Sequence, residues 1–207
     1  MNITAQMVKE LRDKTGAGMM DAKKALVEVD GDMEKATEFL RQKGMASAEK
    51  KMGRIAAEGR VDSFVDANGG AMVEVNCETD FVAKNDEFKT LVANMAKHVE
   101  DLKPADVDAL LATTCPSCDK LIGEALKEKI ASIGEKITVR RFVRYEGPVA
   151  TYIHNGKIGV LLSTDKEDHD LMNDICLHIA SSAPKFVSRA EIPQSEIDEE
   201  TRIEMGK

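Results

Sequence analysis

Residues 69–88, GGAMVEVNCETDFVAKNDEF, carry the chain from an extended segment through a polar elbow into a helix. Ahead of the elbow, residues 61–66 and 71–75 read as strands flanking Asn68-Gly69-Gly70, a hairpin signal because Asn and Gly tolerate positive φ. Behind it, Phe88, Leu91, Val92, Met95, Ala96 and Val99 recur at helical spacing and put one apolar stripe on one face. The unit is therefore strand, turn, strand, helix. Within the elbow an acidic turn adjoins Phe81 and Val82. A large apolar side chain in a short polar connection gains nothing from water, so Phe81 either folds back over its own helix or waits for a partner.

The same unit recurs. Residues 149–154 and 157–162 flank Asn155-Gly156 as a second hairpin, and DHDLMNDICLHIA (168–180) follows with Leu171, Met172, Ile175, Cys176 and Ile179 at helical spacing. Between the two units lie a helix over 121–130 and the extended KITVRRFVRY (136–145), where Ile137, Val139, Val143 and Tyr145 alternate onto one face. Hairpins and helices are segregated rather than strictly alternating, so the expected class is α+β, with a central body of two related halves. After its second strand the first half reads CETDFVAK and the second STDKED. The shared framework does not require Phe81.

The first fifty residues read as three short helices. Thr4 can cap the first, with Ile3 and Val8 placed as a hydrophobic staple, and Thr15-Gly16 ends it. The second carries Ala22, Ala25, Leu26 and Val29 on one face and stops at Asp30-Gly31. The third starts from Asp32 with Met33, Ala36, Phe39 and Leu40 inward. RQKGMASAEKKMGRIAAEG (41–59) is polar, basic and poor in large apolar residues, and reads as a partly helical linker. The expected division is 1–54 for the three-helix module and linker, 55–144 and 145–193 for the two halves, and 194–207 for a terminal helix.

At 207 residues, 43% of them hydrophobic, the chain can bury a substantial core. A net charge of −8 argues against broad binding to a phosphate backbone. No apolar run approaches the roughly 18–20 residues of a spanning helix, and MNITAQMVKELRDK has no apolar leader core, so no membrane association and a cytoplasmic location are expected. Only 4% of residues are aromatic, which makes stacking platforms improbable.

Catalytic signatures are missing. There is no glycine-rich phosphate loop, G-x-S-x-G elbow or H-E-x-x-H, so no enzymatic activity, catalytic residue or cofactor is expected. Cys115 and Cys118 form the one CxxC, open to a redox or half-zinc reading if Cys77, Cys176 or a histidine converges on it, and otherwise two ordinary cysteines at a helix start. No metal site is expected. His98, His169 and His178 have no facing nucleophile in the pattern, whereas His154 lies at a hairpin tip where it can reach a partner or simply make the turn. Met19 borders the apolar stripe of its helix and Met20 points nearly opposite, beside Gly16-Ala17-Gly18, so Met20 suits a docking point on another protein.

Together these pieces resemble the bacterial elongation factor Ts family, guanine nucleotide exchange factors of elongation factor Tu. The resemblance rests on VKELRDKTGAGMMDAKKAL (8–26), GGAMVEVNCETDFVAKNDEF (69–88), IGEKITVRR (133–141), HNGKIGVLL (154–162) and APKFV (183–187), and it covers nearly the whole chain. It implies a ubiquitin-associated-like three-helix domain followed by a core of two related hairpin-plus-helix subdomains. Asp80 and Phe81 match the acid and aromatic that wedge between helices of the partner's G domain and help dislodge Mg²⁺, with Val82 and Ala83 completing the segment. Arg12, Met19 and Met20 match contacts near the nucleotide pocket, Ile133 a core contact, and His154 a contact to another domain of the partner. The partner implied is elongation factor Tu, GDP-bound or nucleotide-free, with no direct nucleic acid. Longer members continue into an antiparallel coiled-coil arm and a C-terminal module, and SEIDEETRIEMGK (195–207) corresponds to the opening turns of that arm, so dimerisation of the complex is left open. The alternative functions are an adaptor that binds without exchange, or a CxxC redox or zinc protein.

Overall fold

The computed structural model describes residues 3–116 and 118–206 of the chain. Three helices come first, α1 (Ala5–Thr15), α2 (Met19–Glu28) and α3 (Met33–Lys51). Strands β1 (Glu58–Asp66) and β2 (Gly69–Cys77) lead to α4 (Asp80–Lys84), α5 (Asp86–Leu102), α6 (Val107–Ala112) and α7 (Ile122–Ile133). Strands β3 (Thr138–Glu146), β4 (Val149–His154) and β5 (Ile158–Ser163) precede α8 (His169–Ser182) and α9 (Gln194–Met205). The class is α+β, as the segregated pattern implies. The end residues of the expected ranges 1–54 and 194–207, namely 1, 2 and 207, lie outside the described residues.

The N-terminal helices are capped as their sequence dictates. The Thr4 hydroxyl accepts from the Met7 amide at 3.2 Å, and Asp32 accepts from Glu34 and Lys35 at 3.0 Å each. Gly16, at φ 68°, closes α1 in the left-handed conformation. Leu11, Ala22, Ala25, Leu26 and Ala36 pack together as a small separate core. The segment read as a partly helical linker is helix as far as Lys51, where α3 ends, and reaches β1 at Glu58. Its contacts explain why no apolar stripe announced it: a Cβ on Gly44 would stand 3.0 Å from the Ala131 Cβ of α7, and Ala48 is fully buried. Close approach of two helices selects small residues here, not large apolar ones.

The main core lies between α5, α7 and an antiparallel sheet of order β1-β2-β3. Phe88, Val92, Ala96 and Val99 of α5 meet Val73 and Val75 of β2, with Ile122, Ile130, Ile137 and Val139 closing the other side. Full burial of each Phe, Val or Ile side chain among them is worth about 1.5–3 kcal/mol. β4 and β5 form a separate antiparallel hairpin, so a hairpin followed by a helix occurs twice, but the first sheet has a third strand that the second lacks. The hairpin is tied to β1 by the Val61 amide donating to Gly156 O at 2.8 Å and the Thr151 hydroxyl donating to Ser63 Oγ at 2.9 Å.

Two expectations fail for local reasons. The β1–β2 turn uses no positive φ. Asp66 Oδ1 instead accepts from the Asn68 and Gly69 amides at 2.7 and 3.2 Å, and glycine is required at 69 and 70 because a Cβ there would run into Tyr145 O or into Val149 and Val65. In β3 the pairing Val75↔Val139 is followed by Glu74↔Arg141, so Arg140 is a bulge. The bulge inverts the alternation. Ile137 and Val139 are buried as expected, but beyond Arg140 it is Phe142 and Arg144 that turn inward, leaving Val143 and Tyr145 exposed.

Arg144 meets Glu100 of α5, the buried acid of the main core at 2% exposure. Nη2 donates to Oε1 at 3.0 Å, while Nε stands 3.0 Å from Oε2 without hydrogen-bond alignment. Deleting one partner of a buried pair strands the other, at a cost of about 3–5 kcal/mol. Glu100→Ala is therefore expected to lower the unfolding free energy by about 3 kcal/mol or more in urea titrations, and Glu100→Met with Arg144→Met to lower it much less. Equal losses in the two proteins would show that charge burial is not the source.

Candidate functional site

The elbow of residues 78–85 is a short helix with two caps. The Thr79 hydroxyl accepts from the Val82 amide at 3.3 Å to start α4, and Asn85 accepts from the Glu87 amide at 2.8 Å to start α5 directly after it. Residues two apart on a helix lie about 200° from one another around its axis. Burial of Ala83 against the main core therefore turns Phe81 outward, and its ring is 82% exposed. Phe81 does not fold back over its own helix. Val82 is half-buried against the same core. Asp80 pairs with Lys84 at 2.7 Å, and that hydrogen bond holds its carboxyl below the usual carboxylate range.

A five-residue helix cannot hold itself. Its entry is fixed from outside by Glu135, two residues past the end of α7, where Gly134 at φ 88° turns the chain. Glu135 Oε2 accepts from the backbone amides of Glu78 at 3.1 Å and Thr79 at 3.0 Å, and Oε1 accepts the Thr79 hydroxyl at 2.6 Å. A strap runs the other way too: Glu78 Oε1 accepts from the Lys136 amide at 2.6 Å and from Arg54 at 3.2 Å. Those two bonds, the Lys136 amide first, keep Glu78 ionised below its ordinary range. Lys136 Nζ closes the ring by donating to Arg54 O at 2.8 Å. Sequence reading missed Glu135 because its partners lie 56 and 57 residues away; the only signal was its place in IGEKITVRR.

The remaining expected contacts divide into two places. Arg12 Nη1 approaches Met19 Sδ at 3.8 Å and its Nη2 pairs with Asp13 at 2.6 Å, leaving Met20 at 65% exposure. The loop between them rests on α7, where the Ser132 hydroxyl donates to Gly16 O at 3.3 Å. Ile133, next along, is half-buried against the core that also receives Val82. The N-terminal methionines, Ile133 and the Phe81 segment are thus linked through the C-terminal end of α7. His154 stands apart at the end of β4, exposed, its ring held between the Tyr152 hydroxyl and the Asn155 amide at 3.1 Å each. Asn155 and Gly156, at φ 53° and 68°, make the left-handed turn their types imply.

The thiols divide by burial. Cys115 is buried, Cys118 exposed, and Cys115 Sγ lies 3.9 Å from His98 Nε2, a neighbour that the helical pattern of His98 did not reveal. Burial lowers the His98 pKa. Among the described residues no group of three or more His, Cys, Asp or Glu side chains is placed to hold a metal ion. A groove of about 760 Å³ between the two sheets is lined by Arg60, Met72, Phe142, Tyr145, Lys157 and Ile158. The one carboxylate in it, Glu74, is taken up by Arg140 and Arg141 at 2.8 and 2.7 Å. Among the described residues no helix is long and apolar enough to cross a membrane.

Comparison with known proteins finds likeness along nearly the whole chain. A family model described as elongation factor TS matches residues 78–207. The chain is 49% identical to the elongation factor Ts of Ruegeria pomeroyi, in an alignment covering 99% of this chain and 72% of that protein. Its identity to the elongation factor Ts of Thioalkalivibrio sulfidiphilus is 48%, over 98% and 71% of the two. For that of Halorhodospira halophila it is 44%, over 98% and 70%.

Cys77, at the end of β2 beneath the elbow, reports on the packing of this region. Burial, with a smaller contribution from the Glu135 charge, pushes its thiol up from 9.0 to about 11. A raised pKa favours the protonated native state, so this contribution to stability is complete below pH 9.0 and is lost as pH rises through about 11. At mildly alkaline pH, exposed Cys118 is expected to react with an aromatic disulfide reagent in the native protein, though more slowly than a free thiol because its hydrogen bond with Cys115 raises its pKa, and Cys77 and Cys176 only on unfolding. Rapid labelling of Cys77 in the native protein, mapped by peptide mass, would contradict the packing described.

Proposed function

The chain belongs to the elongation factor Ts family, and from that premise we propose that it is a guanine nucleotide exchange factor of translation elongation, acting on GDP-bound elongation factor Tu. The observation that carries this reading is an aromatic ring left in water on a short helix that is capped by Thr79 and seated on the core through Ala83. The −8 net charge and the lack of a spanning helix among the described residues support a protein partner in the cytoplasm over nucleic acid or membrane. We also propose the division into a ubiquitin-associated-like module over 1–54, core subdomains over 55–144 and 145–193, and the start of a coiled-coil helix over 194–207.

Exchange is a coupling problem. A GTPase holds GDP through backbone amides, a lysine and Mg²⁺ bridging protein and phosphate oxygens. A second protein speeds release only by binding the distorted, nucleotide-poor state more tightly, and GDP then weakens that binding by the same factor. Phe81 would enter between helices of the partner, where its ring leaves water, and the carboxylate of Asp80 would act beside it on the elements that hold Mg²⁺. Val82 and Ala83 anchor the wedge to its own core. Arg12, Met19 and Met20 on one side of α7, Ile133 at its end, and His154 on the second hairpin would supply binding that orients the wedge without itself displacing the ion. The reaction leaves no covalent change, so no residue of this chain is catalytic in the chemical sense.

An aromatic anchor in a pocket is worth about 2 kcal/mol or more, roughly thirtyfold in equilibrium. Phe81→Ala is expected to keep its circular dichroism and melting temperature and to slow fluorescent GDP release from elongation factor Tu by about thirtyfold in stopped flow. An unchanged rate would remove Phe81 from the mechanism, and wild-type binding with no release at all would favour an adaptor. Met20→Ala is expected to weaken binding by less than Phe81→Ala. A fall in melting temperature without loss of binding would make Met20 a packing residue.

A further inference from the structure

We propose that Glu135 is a positioning residue for exchange, its carboxylate setting the direction in which Phe81 leaves the surface; this rests on the exchange reading above. Three donors converge on that carboxylate, the amides of Glu78 and Thr79 and the Thr79 hydroxyl, at 3.0–3.1 Å and 2.6 Å. All three belong to the two residues that lead into α4. An ionised carboxylate accepts at both oxygens and donates nothing, so it alone among side chains of this size satisfies the set.

The Thr79 hydroxyl makes the link to Phe81. It gives its proton to Glu135 and accepts from the Val82 amide at 3.3 Å. With the proton committed to Glu135, a lone pair is left facing the first turn of α4, and the rotor that caps the helix is fixed. Phe81 lies inside that turn and its ring is 82% exposed, so with Ala83 seated against the core it is the cap, and no contact of the ring itself, that completes the definition of its direction. The opposite strap, from Glu78 to the Lys136 amide and Arg54, holds the two loops in register but touches nothing in α4. Glu135 is thus the group through which the end of α7 controls the wedge.

A residue that positions the wedge should govern the rate at saturation more than the concentration needed to reach it, since most of the binding surface lies elsewhere. Glu135→Gln keeps the shape but presents an NH₂ group where a donor already points. It is expected to lower the maximal rate of fluorescent GDP release from elongation factor Tu about tenfold, with the half-saturating concentration changed less than threefold. Thr79→Val, which keeps the shape without the hydroxyl, should reproduce the loss, and Thr79→Ser should restore the rate to within twofold of wild type.

The decisive comparison is the pair of Glu135→Gln and Phe81→Ala, measured where Phe81→Ala still exceeds spontaneous release. If Glu135 acts through Phe81, adding Glu135→Gln to Phe81→Ala changes the rate less than twofold. An undiminished tenfold effect in that background would overturn the proposal. So would wild-type release by both Glu135→Gln and Thr79→Val while Phe81→Ala is slow, an outcome that leaves the exchange reading intact. Wild-type release by Phe81→Ala itself would instead sink the exchange reading on which the proposal stands. Should Glu135→Gln fail to fold, Thr79→Val against Thr79→Ser supports or overturns the proposal on the same terms.

Discussion

Two loops distant in sequence and laced together by their own carboxylates are the constraint from which the rest of the site follows. Glu135 takes the amides at the mouth of α4, and Glu78 takes the amide of Lys136 in return. Charge-assisted bonds of this kind to backbone N–H are about twice as strong as neutral ones. Their importance lies in what they replace. α4 buries Ala83 and half-buries Val82, a small anchor for five residues, and the lacing adds to it a fixed entry from a rigid neighbour.

That neighbour, α7, joins the three N-terminal helices to the elbow. Its last turn packs against α3 so closely that a Cβ on Gly44 would crowd the Ala131 Cβ, its end receives the α1–α2 loop through Ser132, and the residues after it hold Thr79. A load on Met19 or Met20 and a load on Phe81 therefore meet on one helix. In the exchange reading proposed above, the ring of Phe81 would need such backing, because on a yielding support it would fold aside rather than displace the elements of a partner. The buried Glu100–Arg144 pair and the bulge at Arg140 serve the same stiffness from the sheet side. They fasten α5, which follows α4 after one residue, to the strand that continues from Lys136.

Much of this was legible in the sequence and some was not, for identifiable reasons. The α5 stripe, the Thr4 and Asp32 caps and the Asn155-Gly156 turn are local signals, and each element is where they put it. The length of α3 was hidden because its contact with α7 is made by Gly44 and Ala48, residues that leave no hydrophobic period. The face of Tyr145 was misread because one extra residue, Arg140, inverts a two-residue alternation, and a bulge depends on the partner strand. Phe81 stood out as a residue the framework did not need, and its exposure bears that out. Glu135 left no trace beyond its motif, because a carboxylate in a loop reveals its partners only when the fold brings them near.

The surface elbow is as firmly held as the core beneath it, and amide hydrogen exchange of the uncomplexed protein, read residue by residue by NMR, puts this to the test. Glu78 and Thr79 precede a helix, where amides ordinarily meet water, yet here both are bonded to Glu135. They are expected to exchange about as slowly as Val73 and Val75 in β2. Exchange as fast as that of an exposed turn would contradict it, since the elbow would then be opening freely and Phe81 would have no fixed direction in which to push.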